Sequence, residues 1–167
     1  AVDQQISERF LTLWESKQKQ PADAFLVSSK DALAATILFD QFPRNMVRGG
    51  ARSCASDKSA RAATKVAIER EWDMRIPEPV RQFFYLPLMH SENLCDQERC
   101  VRLMKERMPE SGESNMLHAR AHREVIRLFG RFPYRNEALL RHSTEPERDY
   151  VSGGGYGATV RNLQATG

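Results

Sequence analysis

Residues able to act on a ligand gather at three places in this chain. The first is "LFDQFPRN" at 38–45, which carries Asp40, Gln41, Arg44 and Asn45 and is followed closely by Arg48. The second is "MHSE", with His90 and Glu92, and the third is "AHREVIRLFGRFPYRN", with His122, Arg123, Arg131, Arg135 and Asn136. Imidazoles and a carboxylate, here His90, His122 and Glu92, are the parts of an acid and a base. Guanidinium groups offer planar, bidentate donors to a carboxylate or phosphate. The first and third places also share a phrase. Each has an apolar run, Phe-Pro and then Arg-Asn, the later copy having one extra tyrosine.

Helices must position these groups. β-branched residues are sparse and no strand-like alternation persists, so the chain reads as all-α. Ile6, Phe10, Leu13 and Trp14 form one stripe of an amphipathic first helix. Ser28 with Asp31 starts the next helix, which is expected to stop at Pro43. Asp57 is expected to cap a third, and "VRQFFYLPLMH" to be a fourth, kinked at Pro87. Asn93 or Ser91 caps a fifth, and a sixth runs to the second Phe-Pro. Ser143 or Thr144 opens a short last one. "SGGGYG" predicts a flexible tail over 151–167. The whole reads as one domain, 1–167, of stacked antiparallel helical hairpins in an irregular array.

The helix over 32–42 is apolar on nearly every side, which predicts that it is buried, with Asp40 in its last turn in need of a cationic partner. The second, fourth and sixth helices each end in a polar cluster. In an up-down array these ends would converge, and the doubled phrase would build two walls of one site. The other reading stands beside it: Phe-Pro ends a helix and Arg-Asn caps it, twice.

The composition bounds the partners. At 167 residues, 41% hydrophobic and 28% charged, the chain suits a globular domain, and no run approaches a membrane span. A net charge of +3 and aromatics confined to apolar stripes argue against nucleic acid. Arginine outnumbers lysine nineteen to six, through codon bias or through a need for bidentate donors. Three cysteines without framework spacing predict free thiols in the cytoplasm. His118 and His122, four apart, would reach one ion with His90 or Glu92 as a third ligand. Neither H-E-x-x-H nor a paired-cysteine knuckle accompanies them, so no metal and no cofactor is expected. No phosphate loop or G-x-S-x-G is present.

"LFDQFPRNMVRG", "YLPLMHSEN" followed by "DQE", "AHREVIRLFGRFPYRN" and "RHSTEPE", in this order, resemble the bacterial family catalogued as domain of unknown function 924. The resemblance implies a tetratricopeptide-like helical fold and supplies no activity. It also implies that Ser91, Gln97 and Glu98 join the polar positions named above. Leu140 stands where such proteins more often have glycine, and "STEPE" replaces "STPEE". A tryptophan-rich segment that usually precedes this start is expected to be trimmed away here, with the loss of one wall of any pocket.

From this we expect a binding or interaction module with an arginine-lined site for an anionic small molecule or a peptide carboxylate. The alternative is a hydrolase or transferase using His90, Glu92 and His122. The oligomeric state does not follow from the sequence.

Overall fold

A computed structural model describes residues 2–47 and 49–166. Among them there are nine α-helices, several 3-10 turns and no strand. No helix among the described residues is long and apolar enough to cross a membrane. The chain divides into two compact units, Ala1–Pro87 and Leu88–Gly167.

The first unit holds α1 (Val2–Lys17), α2 (Ser29–Thr36), α3 (Phe42–Met46) and α4 (Asp57–Glu69), with α1 packed on α3 and α2 on α4. Its core is Trp14, Ala35, Phe39 and Ala60, flanked by Leu11, Phe25, Leu38 and Met46. Ser28 accepts the Asp31 N–H at 3.2 Å and so caps α2. The expected stop at Pro43 does not occur. α2 passes through a π-turn, Ile37–Gln41, directly into α3.

Proline has no N–H to offer the carbonyl four residues earlier, and its ring crowds that carbonyl. Widening the helix by one residue, with the Phe42 N–H bonded to the Ile37 oxygen, gives the ring room. The orphaned Phe39 carbonyl accepts the Ser56 hydroxyl at 2.6 Å instead, and Ser56 Oγ accepts the Trp14 indole N–H at 2.9 Å. A serine from outside the helix thus supplies the donor that proline lacks.

The helix over 32–42 is also less buried than its composition predicts. Ala34 is exposed, and Leu33, Ile37 and Leu38 are only partly covered. Ala34, Ile37 and Leu38 line an apolar cleft of about 630 Å³ between α2 and α1. Nor does Asp57 cap α4. It is the first helical residue, and its carboxylate turns to Arg44. "VRQFF" is a 3-10 turn rather than an α-helix, and it leads into a short α5 (Leu86–Met89) that contains Pro87.

The second unit holds α6 (Leu94–Arg107), α7 (Glu113–Phe129), α8 (Glu145–Ser152) and α9 (Gly155–Thr166), with α7 packed on both α6 and α9. Val125, Ile126 and Phe132 form its core, with Phe129 and Tyr150 against them. Asn93 caps α6 through the N–H groups of Cys95 and Asp96, and Thr144 with Glu147 forms a capping box on α8. The connection into α7 is tight at Gly112, where a Cβ would stand 2.4 Å from the Met108 oxygen. Residues 155–166, expected to be a flexible tail, form α9. Glycines at 153–155 make the turn, and packing on α7 sustains the helix that follows despite its modest intrinsic propensity.

Candidate functional site

In the first unit the predicted site residues are bound to one another. Asp40 is fully buried in the π-turn. Arg44, one turn on, donates to Asp40 at 3.2 Å and to Asp57 at 2.9 Å. Burial works against the Arg44 charge, but the two carboxylates outweigh it and raise the guanidinium above its ordinary value. Gln41 donates to the other Asp40 oxygen, and Asn45 donates to the Gln41 carbonyl at 3.1 Å. Arg48 lies outside the described residues.

In the second unit α7 ends differently. Gly130 adopts the left-handed conformation (φ 69°) and its N–H closes on the Ile126 carbonyl, a glycine C-cap. The chain then turns, Phe132 is fully buried, and Pro133–Arg135 forms a 3-10 turn.

Most of the predicted polar residues here are held within the unit. Glu92 is gripped bidentately by Arg141 at 2.7 and 2.9 Å and accepts the Phe132 N–H at 2.8 Å. Burial alone would raise the Glu92 carboxyl, but Arg141, the Phe132 amide and Arg135 outweigh it and lower it. Both Glu92 oxygens thus accept hydrogen bonds within the unit. Arg131 forks onto Glu147 at 2.6 and 2.8 Å, and this pairing, with the Thr144 amide, draws the Glu147 carboxyl from its ordinary 4.5 down to about 2. Buried Asn136 bonds Ser143, Glu147 and Arg141. Arg123 bonds Glu98 and Glu124.

The loop that carries these residues closes with the Arg141 N–H on the Asn136 carbonyl, 2.8 Å, and forces Leu140 to φ 53°. That is glycine geometry. Leucine pays a steric cost there that glycine would not.

A different environment surrounds His122. Its ring lies 4.6 Å from Tyr156, 5.4 Å edge-on to Phe132 and 6.2 Å from His90, centroid to centroid. Tyr134 stacks on Phe132 at 5.4 Å, and the Tyr156 hydroxyl meets His118 Nδ1 at 2.6 Å. Arg135 lays its guanidinium over the Phe132 face, 4.5 Å from the centroid, and donates to the His90 carbonyl at 3.1 Å. Gln97 fixes the turn that presents His90, its amide donating to the carbonyls of Met89 and Ser91 at 2.7 Å each.

Burial, and next the neighbouring His90, press the His122 ring from its ordinary 6.5 down to about 3. A bond to the His118 carbonyl opposes them, and Arg135 adds to them. His122 is therefore a neutral imidazole at physiological pH. Burial likewise raises the Tyr134 and Tyr156 phenols, which stay protonated.

Sequence reasoning named His90, His122 and Arg135 but missed Phe132, Tyr134 and Tyr156, whose rings pack around them. It also missed Arg141 as the partner of Glu92. Tyr156 was hidden by its glycine-rich neighbours, whereas Arg141 stood in view at the head of "RHSTEPE". Among the described residues there is no group of three or more His, Cys, Asp or Glu able to hold a metal ion. The three cysteines are free, and burial pushes the Cys100 thiol up to about 12.

No curated protein matches the chain. Among solved structures, a protein of unknown function from Agrobacterium tumefaciens is similar, with 37% identity over 91% of this chain and 84% of that one and a TM-score of 0.82. The model of the family described as "Bacterial protein of unknown function (DUF924)" matches residues 1–155, and the chain belongs to that family.

Proposed function

We propose that this protein is a tetratricopeptide-like helical binding module whose His90–His122–Arg135 corner captures an anionic group, either a small molecule or a peptide carboxylate. One observation carries the reading. Arg135 is fixed over Phe132 and on the His90 carbonyl in the same corner as a neutral, largely desolvated His122. The field there is positive: Arg135 lowers both Glu92 and His122. Anions are favoured in such a field, and a guanidinium held flat loses little freedom on gripping an oxyanion.

A thermal-shift screen of the intact protein against phosphate, short mono- and dicarboxylates and peptides with free C-termini tests the proposal. A binding ligand raises Tm by mass action. The shift should vanish in Arg135→Ala and persist in Arg131→Ala. A shift that survives Arg135→Ala would place the anion elsewhere.

A further inference from the structure

His122 Nδ1 stands 2.8 Å from the carbonyl oxygen of His118, an atom that only accepts hydrogen bonds. Nδ1 therefore carries the ring proton, and the neutral ring keeps its in-plane lone pair on Nε2. That Nε2 has no hydrogen-bond partner among the described residues. The charges of His90, Arg135 and the His118 ring disfavour a second proton on the ring, against the His118 carbonyl bond that favours it; the Tyr156 phenol, 4.6 Å away between ring centroids, is neutral. Phe132, edge-on, and Tyr156, tilted, pack against the ring.

An acceptor fixed in this way repels the lone pairs of a fully deprotonated oxyanion and attracts a donor. We infer that the corner selects anions that bring their own hydrogen-bond donor, hydrogen phosphate or an α-hydroxycarboxylate, over anions of the same shape and charge class that have none. The inference rests on the anion-binding reading above. Arg135 answers the negative charge in either case, and His122 decides between ligands. A site that hydrogen-bonds a ligand proton discriminates against the analogue lacking it, because its acceptor then faces an oxygen lone pair instead of a donor.

The test uses two matched pairs on the intact protein at neutral pH, orthophosphate against sulfate and glycolate against acetate, titrated by calorimetry. Every orthophosphate ion at that pH retains a proton and sulfate has none; glycolate is acetate with a hydroxyl. The donor-bearing member of at least one pair should bind about ten-fold or more tightly than its partner. Which pair separates identifies the ligand chemistry. The ¹⁵N resonance of His122 Nε2 should move on addition of the tighter ligand. His122→Gln, whose amide can turn a donor toward the ligand, should close the gap while still binding. Sulfate and acetate binding as well as their partners, with the His122 resonance unmoved, would overturn the selectivity and leave the anion site standing. No binding by any of the four would overturn the anion-binding reading itself.

Discussion

The two copies of the Phe-Pro-Arg-Asn phrase fold differently, and the third residue of each decides it. In the first copy that residue is Asp40, which stays helical; the helix widens, runs through Pro43 and delivers Arg44 one turn later onto the same carboxylate. In the second it is Gly130, which takes the left-handed conformation, ends α7 and lets Phe132, Tyr134 and Arg135 gather beside His122. One copy encloses its polar groups in a salt bridge. The other leaves an imidazole lone pair unused. The same six shared residues make architecture or a candidate site according to whether the backbone continues.

The largest effect expected from disturbing this contrast is in the first copy. Arg44→Ala strands Asp40 in the interior and should cost about 3–5 kcal/mol by chemical denaturation, with little change in anion capture. Loss of capture at unchanged stability would erase the division of labour. Ser56→Ala removes both the donor to Phe39 and the acceptor for Trp14 and should cost about 2–3 kcal/mol. A cost near zero would mean that Pro43 is tolerated without its substitute donor.

In the second copy the signature is pH. The His122 and Glu147 values lie below their ordinary ones, so below pH 6.5 the unfolded chain binds more protons than the folded one and stability falls with pH. The His122 share is intact above 6.5 and is lost toward about 3, and the Glu147 share is lost between 4.5 and about 2. Between pH 6.5 and 4.5 the His122 share should be on the order of 2 kcal/mol. His122→Phe should flatten that interval and leave the more acidic one in place. The smallest effect is a gain. Leu140 is almost wholly exposed at φ 53°, so Leu140→Gly should stabilise by up to about 1 kcal/mol in a denaturant titration.

Local signals were legible in the sequence. Ser28, Asn93 and Thr144 cap helices as their neighbours within four residues require, and the all-helical class follows from periodicity. Pairings across longer separations were not. Nothing near Pro43 announces that Ser56 will supply its missing donor, nor does the spacing of Arg131 and Glu147 or of Glu92 and Arg141 show that they will meet. The arginines therefore looked more available than most of them are. The glycine run at 153–155 suggested a tail because glycine punctuates chains, yet here it makes only the turn into α9, which brings Tyr156 onto His122. Leu140 looked like a minor departure until its backbone angle gave it a cost.

The central claim is that the second copy binds and the first supports. Calorimetric titration with orthophosphate of the parent protein, Arg135→Gln and Arg44→Gln, each checked for folding by circular dichroism, tests it most directly. The account predicts that Arg135→Gln folds and loses binding, while folded Arg44→Gln binds like the parent. Binding that survives in Arg135→Gln and disappears in folded Arg44→Gln would contradict it.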